Sequence, residues 1–132
     1  MPIKIKALAE LPGFAPFGQV SPRAVSLAER DLGISFSPDY REAAIAYGAI
    51  EVDGHELTSV VDIPRLDVVR VTRDFAALYP WLPKDSYVIE DAGIDGLAIC
   101  QKSDGTVYQV SPDGRVAQIA KSLLDYLVLV TN

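Results

Sequence analysis

The sequence feature that most limits the fold is a series of three Asp-Gly pairs in the C-terminal half, each lying between two short apolar runs. Asp-Gly is a strong signal for a tight hairpin turn, because its residues tolerate the positive φ that such turns need. Connections this short leave no room for the crossover that parallel strands require. The pattern therefore predicts an antiparallel meander with turns at Asp95-Gly96, Asp104-Gly105 and Asp113-Gly114.

Capping signals predict two helices before the meander. Ser21-Pro22 is typical of a helix start, and apolar residues recur at helical spacing from there to Gly33. Ser37-Pro38 repeats the signal, with Ser37 as the predicted cap, and the second helix is expected to stop at Gly48. Next, Asp53-Gly54 separates two short β-branched runs, which predicts two short strands or a tight loop.

Two further helices complete the predicted layout. One is expected from Asp67, its cap, to Tyr79, with Pro80 as the stop. The other closes the chain over 122–130, where leucines recur on one side. Two N-terminal helices, a middle helix, an antiparallel meander and a C-terminal helix make a single α+β domain, predicted over residues 21–132.

Residues 1–20 differ in composition from the rest of the chain. They hold three prolines and two glycines among apolar residues, so an irregular or partly extended N-terminal arm is expected rather than a helix. Phe14 and Phe17 are expected to anchor this arm to the core.

Composition excludes several classes of protein. A chain of 132 residues can bury about two thirds of its extended surface. The net charge of −6 argues against a direct nucleic-acid partner, since phosphate binding needs clustered Lys and Arg. One Cys and one His cannot build a structural zinc site of four Cys or of two Cys and two His, and no G-x-G-x-x-G or P-loop motif occurs, so no metal and no cofactor are expected. No apolar run is long enough for a signal peptide or a membrane helix, so we expect a cytoplasmic protein with no membrane partner.

Candidate catalytic groups are few, and no enzyme is predicted. His55 is the only side chain that could serve a triad as base, but it follows a predicted turn, and no G-x-S-x-G motif accompanies any serine. Cys100 lies in an apolar run and is expected to be buried and inert. Paired carboxylates could still support a hydrolase, and the chain offers two sets of them, Glu51, Asp53 and Glu56, and Glu90, Asp91 and Asp95.

Acidic residues concentrate in two stretches, 51–67 and 84–113. If both meet at one rim of the sheet, they form a negative face that would steer a basic partner. Trp81, held between Pro80 and Pro83, either plugs the edge of the core or serves as an exposed anchor. The residues predicted to bind a partner are Glu51, Asp53, Glu56, Trp81, Asp85, Glu90, Asp91 and Asp95.

Taken in order from Ser21 to Leu127, the chain resembles the SUKH superfamily, in particular the group around the yeast regulator of cell-wall assembly and killer-toxin resistance. The resemblance rests on an ordered series of segments: Leu32-Gly33-Ile34, Phe36-Ser37-Pro38-Asp39-Tyr40-Arg41, Tyr47-Gly48, Gly54-His55-Glu56-Leu57, Tyr87-Val88-Ile89, Asp104-Gly105-Thr106-Val107-Tyr108 and Ala120-Lys121-Ser122-Leu123-Leu124-Asp125-Tyr126-Leu127.

The resemblance implies a noncatalytic protein that binds other proteins. Bacterial members are thought to act as immunity proteins that block a toxin, often a nuclease, so a basic toxin domain is the expected partner. The eukaryotic branch suggests the alternative, an intracellular scaffold or regulatory module. We expect a monomer or a weak dimer.

Overall fold

The three Asp-Gly pairs close hairpins as predicted. In a computed structural model that describes residues 3–93 and 95–131, four antiparallel strands pair in chain order: β4 (Ser86–Asp91), β5 (Ala98–Lys102), β6 (Val107–Val110) and β7 (Val116–Ala120). Gly96, Gly105 and Gly114 adopt positive φ of 71°, 96° and 95° in the three turns. Ile94, in the first of these turns, lies outside the described residues.

The predicted hairpin and helices are confirmed as well. Strands β2 (Ile50–Val52) and β3 (His55–Leu57) pair around Asp53-Gly54. The helices are α2 (Pro22–Leu32), α3 (Pro38–Tyr47), α4 (Val68–Leu78) and α5 (Leu123–Thr131), with a short 3-10 helix at Pro64–Leu66. The mixture of helices with antiparallel sheets confirms the α+β class.

The N-terminal segment corrects one prediction. Residues Ile3–Leu8 form a helix, α1, whereas no helix was expected there. Ile5 and Leu8 lie three positions apart and are fully buried, and the Tyr47 hydroxyl donates to the Ile5 carbonyl. Tertiary burial therefore stabilises a helix too short to stand alone. The extended part of the prediction holds for β1 (Ala15–Pro16), which pairs with β2. Met1 and Pro2 lie outside the described residues.

The two phenylalanines of this segment differ. Phe14 packs edge-on against Tyr47 with ring centroids 5.0 Å apart, as an anchor should. Phe17 is 45% exposed, so the prediction that it anchors the segment is wrong. Its backbone explains this, because the Phe17 N–H donates to the carbonyls of Tyr47 and Ala49 and no side-chain contact is needed to hold it.

Apolar side chains cover both faces of the four-stranded sheet. Against α4 lies a small cluster that includes Cys100, which is fully buried as predicted, and this burial raises the pKa of its thiol to about 12. The larger cluster fills the opposite face around Phe36, Tyr40 and Tyr87, whose ring centroids lie 4.8 to 5.0 Å apart. The sheet is thus the middle layer of the molecule.

A chain of buried and partly buried hydrogen bonds crosses the larger cluster. The Tyr87 hydroxyl accepts from the Ser37 N–H and donates to Gln101. Gln101 donates in turn to Asp39, and the other Asp39 oxygen accepts the Leu123 N–H at the start of α5. Ser37 is the N-cap residue of α3 as predicted, but its side chain makes no capping hydrogen bond. Asp39 instead links the first turns of two helices.

Replacing Ser59 tests how the buried polar groups contribute to stability. The Ser59 hydroxyl is buried and has no hydrogen-bond partner among the described residues. Ser59→Ala is therefore expected to leave the free energy of unfolding unchanged or raise it by up to about 1 kcal/mol. The neighbouring Thr58 hydroxyl bonds to Tyr40 and Val88, so Thr58→Val is expected to cost about 1–3 kcal/mol. Urea unfolding of both variants measures the contrast, and equal losses would contradict it.

Candidate functional site

Three turns meet at one end of the four-stranded sheet, which we call the turn end. The β4–β5 and β6–β7 turns share this end because the strands form a meander. The hairpin tip at Asp53-Gly54 points toward the same end, because β3 contacts β4 in antiparallel order although the two strands belong to different sheets. The Thr58 N–H donates to the Ile89 carbonyl at 2.9 Å, and His55 Nδ1 lies 2.9 Å from Glu90 Oε2. The two acidic stretches of the sequence therefore do meet at one edge.

An aromatic pair covers the turn end. Tyr79 and Trp81 stack with ring centroids 5.2 Å apart and planes 10° from parallel. The Tyr79 hydroxyl donates to the Gly96 carbonyl at 2.7 Å, and Trp81 Nε1 donates to the Ser111 carbonyl at 2.9 Å. Each ring thus holds one turn of the sheet. Trp81 remains 37% exposed, so its position is fixed while part of the indole faces solvent.

A groove of about 350 Å³ runs along α4 to the end of β4. Val71, Phe75 and Leu78 supply its apolar side chains, and Phe75 packs against Tyr79 at 5.6 Å. Leu78 is 67% exposed, the most exposed large apolar side chain among the described residues. The charged side chains on the rim are Arg65, Arg70, Asp74 and Asp91.

Three carboxylates of the turn end face solvent without a cationic partner. Asp53, Asp91 and Asp95 are exposed, and in the described part of the chain no basic side chain lies within 4 Å of them. Leu78, Trp81, Asp91 and Asp95 define what we call the docking face. Asp85 lies at the opposite end of β4, where its carboxylate is 3.9 Å from the Lys102 ammonium.

The sequence profile of the SMI1-KNR4 cell-wall family, SUKH_5, matches residues 4–131. The chain belongs to the SUKH family. No curated protein matches it. The match begins within α1, so the family pattern includes the N-terminal segment as well as the part from Ser21 onward. Membership is consistent with an immunity or regulatory role and suggests that the protein interacts with other proteins. Among the described residues, no helix has the length and apolar character needed to cross a membrane.

Glu90 of this SUKH protein lies beneath the surface. It is 5% exposed and contacts His55 on one side and the Tyr126 hydroxyl, which donates to it, on the other. Burial, and then the negative charge of Glu90, raise the pKa of Tyr126, so the phenol keeps its proton. Glu90 therefore links the hairpin, β4 and α5 inside the molecule, and its side chain offers little surface to a partner.

Glu51 and Glu56 lie directly opposite each other on the SUKH hairpin, and Arg65 binds Glu56 at 2.7 Å. That contact raises the pKa of the Arg65 guanidinium. The groove that contains Asp91 includes neither of these glutamates nor Asp95. The carboxylates considered for a hydrolase are thus spread over the hairpin, the core and the turns, and this groove does not bring them together.

Sequence reasoning missed Leu78 and the groove beside it. Leu78 follows the spacing of Val71 and Phe75, which assigns it to the buried stripe. It is, however, the last residue of α4, and its side chain lies beyond the part of the helix that the sheet covers. The only signal in the sequence was Pro80, which places the helix end nearby.

Proposed function

We propose that this SUKH protein is a noncatalytic immunity-type protein that binds and neutralises a cognate bacterial toxin through its docking face. The observation that carries the proposal is the arrangement of that face, in which exposed Leu78 and Trp81 are bordered by unpaired aspartates. Protein interfaces gain most of their affinity from a few aromatic and aliphatic anchors surrounded by a polar rim. Membership of the SUKH family supports the same role.

The charge of the docking face favours a basic partner. Asp91 and Asp95 carry negative charge at the face, in a chain whose net charge is −6. On the groove rim, Arg65 is paired with Glu56, and Arg70 lies with Asp74. Such a surface attracts a positively charged protein and raises its association rate. A toxin that acts on nucleic acid needs a basic surface to bind phosphates. A nuclease toxin domain therefore fits the chemistry of the face.

Co-expression with the toxin domains encoded near its gene tests the proposed function. The expected result is rescue of growth and co-purification of a stable complex with one of them. A complex in which the toxin has lost its activity supports neutralisation. Unchanged masses of both chains would verify that neutralisation involves no covalent chemistry on the toxin. Failure to rescue growth, together with no complex for any neighbouring toxin, would contradict the proposal. Recovery of a cellular protein instead would favour the scaffold alternative.

Removing two charges from the docking face should slow binding. Asp91→Asn with Asp95→Asn is expected to lower the association rate about threefold to tenfold at low salt and to have little effect at high salt. The amide oxygen of an asparagine at position 91 can still accept the Gly93 N–H that Asp91 now accepts, so the turn is kept. The matched control is Asp31→Asn with Asp85→Asn, both exposed and outside the face. Stopped-flow mixing measures the rates, and equal slowing by the control pair would rule out a local effect.

A further inference from the structure

Strand β7 forms an open edge of the four-stranded sheet. It is the last strand in the sheet order, and among the described residues its backbone hydrogen bonds run only to β6. The side chains of Val116, Ala117 and Gln118 are exposed. Natural proteins often protect such an edge with a charge, a proline or a bulge. Residues 116–120 contain no charge and no proline, and the one bulge, at Ile119, lies beyond Val116–Gln118, which pair with β6 in regular register. Residues 116–118 can therefore accept another strand.

Positive charges flank this edge. Arg115 precedes the strand and Lys121 follows it, six positions apart, and the bulge at Ile119 keeps the distance between them below about 20 Å, the span of fully extended chain. Arg115 contacts Asp113 at 2.8 Å, but both side chains are mostly exposed, so water screens the pair and leaves it weak. No carboxylate of the described residues lies within 4 Å of Lys121. An added strand would meet a cation at each end.

These charges disfavour a second copy as the occupant. An antiparallel pair of β7 strands would bring Arg115 of each copy close to Lys121 of the other, and like charges that lie close together repel each other. A pairing shifted toward the β6–β7 turn would require Asp113-Gly114 to form strand hydrogen bonds with the other copy, and the tight turn at these residues prevents it. A segment from a different protein, with acidic residues at both ends, avoids both problems.

We propose that β7 binds an extended segment of another protein by strand addition, and that this segment carries acidic residues six positions apart. Backbone hydrogen bonds supply most of the affinity in this mode, and side chains supply the specificity. Arg115 and Lys121 select the acidic ends. The edge lies on the far side of the sheet from β4, so the proposal stands apart from the function assigned to the docking face.

Titration of the isotope-labelled protein with three peptides tests the proposal by NMR. The first has seven residues, with glutamate at both ends and alternating threonine and valine between them. The second replaces the glutamates with lysines, and the third methylates alternate backbone nitrogens of the first. The glutamate peptide is expected to shift the amide signals of β7 and to bind about tenfold more tightly than the lysine peptide. Methylation is expected to abolish binding.

Arg115→Gln with Lys121→Gln provides the matched variant. Both side chains are exposed, so the rest of the spectrum should be unchanged, and the two charged peptides should bind this variant equally. The proposal is overturned if the glutamate peptide shifts no β7 amide at about millimolar concentration, or if the lysine peptide binds the wild-type protein as well. It is also overturned if the β7 signals of the free protein change with protein concentration, because a second copy would then occupy the edge.

Discussion

Gly48→Ala is expected to leave the chain without a stable folded state. Gly48 ends α3 with φ 71° and ψ −141°, a conformation open almost only to glycine. A Cβ atom at this position would lie 2.0 Å from the Gly18 carbonyl oxygen, where backbone meets backbone and neither side can yield easily. The expected cost exceeds about 4 kcal/mol, which approaches the whole stability of a domain at the low end of the usual range of about 5–15 kcal/mol. Circular dichroism and urea unfolding measure it.

Gly33→Ala is the matched control. Gly33 ends α2 with a similar φ of 68°, but its ψ of 29° places it in the left-handed helical region, and a Cβ there would meet no atom within 4 Å. Its substitution is expected to cost only about 1–2 kcal/mol, the penalty of left-handed backbone for a residue with a side chain. If both variants lose the same free energy, the close approach of Gly18 to the end of α3 is not present in solution.

Raising the pH above about 10 is expected to destabilise the protein steeply. Tyr40, Tyr87 and Tyr126 are buried, and burial raises the pKa of each phenol above its ordinary value. In the unfolded chain these phenols ionise near pH 10, whereas in the folded protein they stay protonated to higher pH. The unfolded state then binds fewer protons, so the free energy of unfolding falls as the pH rises. Each phenol contributes up to about 1.4 kcal/mol per pH unit.

Urea unfolding between about pH 8 and about pH 11 measures this loss. Below the unfolded pKa the stability from these groups is complete, so the midpoints are expected to be constant until near pH 9, where Cys100 begins to contribute. Tyr126→Phe removes one ionising group and should make the decline shallower by up to about 1.4 kcal/mol per pH unit. Midpoints that stay constant to about pH 11 would show that the phenols are accessible to water in the folded protein.

Local turn and capping chemistry made most of the fold predictable. Asp-Gly pairs and Ser-Pro starts act over a few residues, so the meander, the hairpin and the bounds of α2 and α3 follow from sequence alone. The helix α1 does not, because Ile5 and Leu8 hold it only through contacts with distant elements. Local signals cannot report such contacts.

The candidate site was predicted in part for the same reason. The acidic stretches and Trp81 were visible in the sequence, and the antiparallel topology brings Asp53, Asp91 and Asp95 to one end. Glu90 was misleading because a β-bulge between Val88 and Glu90 breaks the alternation of side chains in β4 and turns Glu90 toward Tyr126. A bulge depends on the pairing partner, so the sequence of one strand does not reveal it.

Leu78→Arg tests the docking face most directly, with Leu129→Arg as its control. The two leucines are 67% and 57% exposed near the ends of α4 and α5, so both substitutions should leave the fold intact. A positive charge at the apolar centre of the face should repel a basic partner as well as remove an anchor. Calorimetric titration with the toxin recovered by co-expression is expected to show a dissociation constant raised at least about 100-fold for Leu78→Arg and less than about threefold for Leu129→Arg. Wild-type affinity for Leu78→Arg would contradict the account.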